Sequence, residues 1–189
     1  MSECGPLGSP IETDPAGRTP TPAQEIRFAC DAMLGGLARW LRAAGYDAWW
    51  RADMRDWDLI RLARRERRIL LTSDRGILSI GIVRDGDVPS LCIPHGLTRL
   101  EQLRYVLRTL RLPLGAPRCM TCGGELQQMP KDSVRELIPP RSFQWCQRFY
   151  QCRRCGKLFW EGTHWQRIER ALSAASDRPE RTDRQASNP

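Results

Sequence analysis

Short apolar runs alternate with helical patterns over the first half of the chain. Glu25 to Cys30 alternates like a strand, and Leu34, Leu37, Ala38 and Leu41 then recur at i, i+3, i+4 and i+7, the spacing of one helix face. Gly45 ends that helix and Tyr46 to Trp50 forms a second apolar run. Leu59, Ile60, Leu62 and Ala63 mark a second helix, with Asp56 or Asp58 at its N-terminus. Arg68 to Thr72 is a third strand, Val88 to Ile93 a fourth run, and Leu100, Leu103, Val106, Leu107 and Leu110 place a helix from about Thr98 to Leu110. Strands alternating with helices predict βαβ units, hence an α/β domain with a parallel sheet over residues 25–112.

Pro113 to Pro117, with Gly115 between, breaks this pattern, and a second unit over residues 117–170 follows. It ends in the aromatic stretch Trp160 to Trp165 and a short helix around Gln166 to Leu172. Residues 1–24 hold Pro6, Pro10, Pro15, Pro20 and Pro22 among Gly, Ser and Thr, and residues 173–189 are equally poor in apolar side chains. Neither end has enough surface to bury against the entropy of ordering, so both are expected to be disordered tails.

The second unit carries two C-x-x-C pairs, Cys119 with Cys122 and Cys152 with Cys155, each followed by glycine. Two such knuckles close a tetrahedral thiolate site, and one structural Zn²⁺ per chain is expected there. Cys4, Cys30, Cys92 and Cys146 remain as free thiols. Cys30 and Cys92 end apolar runs and are expected to be buried, while the x5 spacing of Cys146 to Cys152 fits a knuckle poorly. Metal thiolates suit a reducing compartment. No apolar run is long enough to cross a bilayer and the first residues lack the pattern of a signal peptide, so a cytoplasmic protein with no membrane partner is expected.

With 30 basic and 22 acidic residues the chain has a net charge of +8. The excess falls in both central units, which favours a polyanion such as nucleic acid. The sequence holds neither a G-x-x-x-x-G-K-[ST] loop nor a G-x-S-x-G elbow, so P-loop nucleotide hydrolysis and serine hydrolysis find no support and no nucleotide cofactor is expected. Candidate chemistry lies instead in carboxylates. Ligands of an open parallel sheet sit beyond the carboxyl ends of the strands. Asp31 directly follows the first strand, Asp74 comes two residues after Thr72, and Asp56 or Asp58 opens the helix leading into the third strand. Carboxylates drawn together repel, but Mg²⁺ or Mn²⁺ turns such a group into a site for activating water against a phosphodiester. As helix caps the same residues would be ordinary.

Gly35 and Gly36 cost helix propensity, which points to close approach of the backbone by a phosphate or by the sheet. Arg39 and Arg42 lie off the leucine stripe of that helix, and Arg75 adjoins Asp74; these three are the candidate contacts to a nucleic-acid backbone. The run from Arg61 to Arg68 reads as a solvated face.

Phe28 to Asp47, Arg68 to Arg75 with its Thr72-Ser73-Asp74 core, the two knuckles and Trp160 to His164 together resemble, in the same order, the Mut7-C family of PIN-like ribonuclease domains fused to a C-terminal zinc ribbon. The resemblance runs from about Ile26 to Ile168. It implies a PIN-like α/β sandwich followed by a zinc ribbon that helps to hold RNA, and metal-dependent RNA cleavage. The family's acids fall on Asp31, Asp74 and Asp56, with Asp58 close behind as the alternative to Asp56. Ser73 stands where the family usually has arginine, and Asp85 and Asp87 are candidates for a fourth acid. The competing expectation is a non-catalytic RNA- or ribosome-binding protein on the same scaffold.

Overall fold

The computed structural model describes residues 26–176. Strands β1 (Arg27–Cys30), β2 (Asp47–Trp50), β3 (Ile69–Thr72) and β4 (Ser90–Cys92) form a four-stranded sheet in the order β2-β1-β3-β4. All three pairings are parallel. Side chains of a strand alternate between faces, and here both faces are covered. Phe28, Cys30 and Leu71 join one apolar cluster, whereas Ala29 and Leu70 join the other.

The helices that supply those covers are the ones the apolar spacing predicts. On one face lie α1 (Gly35–Ala43) and α5 (Arg99–Thr109), contributing Leu37, Ala38, Leu41, Leu103, Val106 and Leu107. Thr98 and Glu101 close a capping box at the start of α5. On the other face α2 (Asp56–Arg65) contributes Leu59, Ile60 and Ala63, together with Ile77 of α3 (Arg75–Ser79) and Val83 of α4 (Gly81–Arg84). The last two helices, of five and four residues, are too short for an apolar period to reveal.

The glycines of α1 are explained by packing. A Cβ on Gly35 would lie 2.5 Å from the Trp50 ring, and one on Gly36 would lie 2.7 Å from the Arg99 side chain. Trp50 is held there by its indole N–H, which donates to the Ala32 carbonyl at 2.9 Å. Of the two expectations for these glycines, the structure therefore shows close contact with side chains from β2 and the start of α5. Arg68 also departs from its expected solvated face. It is buried, pairs with Asp47 at 2.9 Å and Glu66 at 2.7 Å, and donates to the Phe28 carbonyl. Its position against strand β3 was the available signal.

The second unit is a three-stranded antiparallel sheet in the order β5-β6-β7, with strands Leu126–Met129, Phe149–Cys152 and Leu158–Trp160. A 3-10 turn (Lys131–Leu137) and α6 (Pro140–Trp145) lie between β5 and β6, an insertion the sequence pattern does not announce. Val134, Ile138, Cys146 and Phe149 form its small core. Cys146 is thus a packing residue, while Cys92, expected to be buried, is exposed because it closes a sheet-edge strand.

The chain then returns. Helix α7 (Thr163–Ser176) packs along α5 and places Leu172 and Ala175 in the core of the first unit. It therefore extends past the expected end at Leu172, and residues 173–176 belong to it rather than to the C-terminal tail, since Ala175 is buried. The rest of that tail and residues 1–25 lie outside the described residues. Among the described residues no helix is long and apolar enough to cross a membrane.

Candidate functional site

The sheet order places the topological switch between β1 and β3, the pair from which the chain departs in opposite directions. Asp31 and Asp74 both leave the sheet at that point. The Asp31 N–H donates to the Leu71 carbonyl at 3.0 Å, so the β1–β3 ladder runs on into it. One oxygen of its carboxylate accepts from the Ala32 N–H, and Oδ2 accepts from the Thr72 hydroxyl at 2.9 Å. The same hydroxyl oxygen accepts from the Asp74 N–H at 2.9 Å. Asp74 in turn caps α3 by accepting from the Gly76 N–H at 2.7 Å. A single, fully buried hydroxyl therefore ties the two aspartates together. The carboxylate of Asp31 is nearly buried and that of Asp74 lies at the surface. Thr72 was not singled out as functional from the sequence, although its place between two acid-bearing strand ends was legible there.

Asp56 is the first residue of α2, exposed, on the face shared by Leu59, Ile60 and Ala63 at i+3, i+4 and i+7. Because α2 links two parallel strands and packs against β1 and β3, its N-terminus lies at the same carboxyl edge as Asp31 and Asp74. Asp58 is occupied otherwise, pairing with Arg55 at 3.2 Å and Arg61 at 2.8 Å. The aspartates are not drawn into one tight group. Among the described residues the one set of three or more potential ligands gathered within 4.8 Å is the four cysteines.

Asp85 and Asp87 precede β4, and Asp87 lies 4.0 Å from Arg64 near the end of α2. That is the amino edge of the sheet, so topology separates both from Asp31 and Asp74. Of the candidate RNA contacts, Arg39 and Arg75 are exposed. Arg42 is not: it is 5% exposed and its guanidinium donates to the carbonyls of Ala48 (2.8 Å), Met120 (3.2 Å) and Thr121 (2.9 Å). Its side chain clamps the first knuckle onto the sheet. Burial lowers its pKa from the ordinary guanidinium value.

The second constellation is the cysteine cluster. Cys119 comes from the linker side, Cys122 from the following turn, Cys152 from the end of β6 and Cys155 from the next turn. The sulfurs of Cys119 and Cys155 are 3.7 Å apart and those of Cys122 and Cys152 are 3.4 Å apart. Tetrahedral coordination with Zn–S near 2.3 Å puts sulfurs about 3.8 Å apart, so the spacing fits a zinc ion. The glycine after each knuckle has positive φ, +78° at Gly123 and +71° at Gly156. Backbone N–H groups of Gly124, Arg154 and Cys155 donate to the sulfurs of Cys122 and Cys152.

Burial raises the Cys122 thiol to about 12. At Cys152 burial acts in the same sense, but N–H donors from Cys155 and Arg154, with neighbouring thiols, bring it down to about 6. Four thiolates so close together need a divalent cation to offset their repulsion. Cysteine is the right donor for zinc, and the burial pattern, with Cys155 at the surface, leaves a way in.

A family model, the Mut7-C RNAse domain, matches residues 26–172. The chain belongs to this family. No curated protein and no solved structure matches it. The Mut7-C match spans both sheets and reaches into α7, so the acidic edge and the cysteine cluster fall within the same family unit.

Proposed function

We propose that this Mut7-C protein is a metal-dependent ribonuclease that cleaves RNA phosphodiesters at the carboxyl edge of the parallel sheet. On this reading the first unit is a PIN-like nuclease domain and the second is a zinc ribbon that holds its one Zn²⁺ through Cys119, Cys122, Cys152 and Cys155. The observation that carries the proposal is the link from Asp31 through the Thr72 hydroxyl to Asp74 at the topological switch point.

The donor set suits Mg²⁺ or Mn²⁺. Each oxygen of Asp31 takes one hydrogen bond and keeps a lone pair, and only Oδ1 of Asp74 is engaged by a backbone donor. Asp31, Asp74 and Asp56 would hold the ion, with Asp56 preferred to Asp58 because the latter is already paired. When bound, the cation supplies an activated water and neutralises charge on the phosphate. The Thr72 hydroxyl fixes the orientation of the Asp31 carboxylate and anchors the Asp74 backbone N–H, and exposed Arg75 offers a cation to the strand beside them.

Asp31→Asn tests the reading, since it removes a charge with almost no change in volume. RNA cleavage in Mg²⁺ or Mn²⁺ should be lost, while RNA binding without added divalent metal persists. Cleavage by Asp31→Asn and Asp74→Asn at the parent rate would refute this site, and a parent that binds RNA but leaves it uncut in both metals would be a non-catalytic RNA-binding protein.

A further inference from the structure

A cleft of about 730 Å³ lies between the two units, lined by α1, the linker, the cysteine-bearing sheet and α7. That volume is typical of sites that hold a small ligand or part of a larger one. Neither the acidic edge nor the cysteine cluster uses it. Arg39 enters it from α1, Lys157 from the turn after the second knuckle and His164 from the first turn of α7. Among the described residues none of these three has an acidic partner. Glu169, the single acid in the lining, accepts from the Trp165 indole N–H at 2.7 Å. The cleft therefore has an unbalanced positive charge.

Its apolar lining sets three aromatic side chains, Phe159, Trp160 and Trp165, among aliphatic ones such as Leu114, Met120 and Ile168. Trp165 is held in a fixed orientation, stacked on Tyr150 with centroids 5.3 Å apart and planes 10° from parallel. A ring already fixed loses little freedom when a base stacks on it. Cations for phosphates beside aromatic faces for bases are the two elements of a single-strand site. A duplex keeps its bases stacked on one another and cannot offer those faces.

We propose that this cleft is the docking groove for an unpaired segment of the RNA strand, with Arg39 and Lys157 on its phosphates. The identity of the polyanion rests on the ribonuclease reading. Arg39 lies four residues after Gly35, about 6 Å of helix rise, and α1 begins at the turn capped by Asp31. A strand seated in the cleft is thereby led along α1 towards the acidic edge.

The test uses the full-length, zinc-loaded Asp31→Asn protein, with and without Arg39→Gln and Lys157→Gln together. Binding of a labelled oligouridylate and of duplex RNA is followed by fluorescence anisotropy across a salt series with no added divalent metal. Loss of two phosphate contacts should make the single-strand salt slope shallower by about 1.4, roughly 0.7 per contact. Affinity for the oligouridylate should fall about tenfold or more at low salt, and the charge-keeping pair Arg39→Lys and Lys157→Arg should restore most of it. Both side chains are exposed, so melting temperature and zinc content should not move.

An unchanged slope overturns the proposal, as does a parent that fails to bind the oligouridylate. An equal loss for poly-glutamate would make the cleft a general polyanion site and also overturns it. Failure of the nuclease reading looks different: the protein with Asp31 intact would bind the oligouridylate in the cleft yet leave it uncut in Mg²⁺ and Mn²⁺.

Discussion

Arg42→Met tests how the two units are held together. The substitution keeps an apolar stem of similar length and removes three donors at once, those to Ala48, Met120 and Thr121. A net contribution of about 1 kcal/mol per hydrogen bond predicts a loss of about 3 kcal/mol, reduced by the desolvation that a buried guanidinium no longer suffers. Two of the three bonds reach the first knuckle, so about 2 kcal/mol of the loss should fall on the docking of the cysteine-bearing unit. At 1.4 kcal/mol per factor of ten, that corresponds to zinc release to a chelator roughly thirtyfold faster. The assay is a chromogenic zinc-release time course beside a urea melt read by two probes. Release at the parent rate, with an unchanged urea midpoint, would refute the clamp and leave Arg42 as a residue whose bonds water replaces.

Three further outcomes follow from particular contacts. Gly124→Ala would place a Cβ 2.8 Å from both the Cys152 sulfur and the Arg154 Cβ, so the purified variant should hold less than one zinc per chain by metal analysis. Thr72→Val removes a fully buried hydroxyl and orphans one carboxylate oxygen and one N–H; it should cost about 2 kcal/mol in a denaturant melt and abolish cleavage, whereas Thr72→Ser should retain both. The hydrogen bond from Arg68 holds the Glu66 carboxyl below its ordinary value of 4.5, so its stabilising effect is complete above that pH and is lost as pH falls through the lower folded value. Melting temperatures of the parent and Glu66→Gln should accordingly converge as pH falls below 4.5, and a gap independent of pH would show that the ion pair contributes nothing through titration.

Local pattern by itself determined the strand and helix order, the α/β class of the first unit and the pairing of the cysteines into one site. Each of these depends on residues a few positions apart: the period of Leu34, Leu37 and Leu41, the alternation into Cys30, and the two-residue gap within each knuckle. Asp31 and Asp74 were legible for the same reason, because a strand end is a local feature. The short helices α3 and α4 and the insertion between β5 and β6 were not, since a single turn is too short to show a period and is stabilised by packing.

Tertiary structure alone decided matters that depend on residues distant in the chain. Arg39 and Arg42 are three positions apart on one helix and look alike in sequence, yet one faces a cleft while the other donates to carbonyls 78 and 79 residues away. Likewise α7 continues past Leu172 because Ala175 meets the core beside α5, and Asp85 and Asp87 lie at the edge opposite the aspartates they were grouped with. A polar side chain carries no mark of its partner, and burial of a charge is settled only when the chain brings acceptors from elsewhere to meet it.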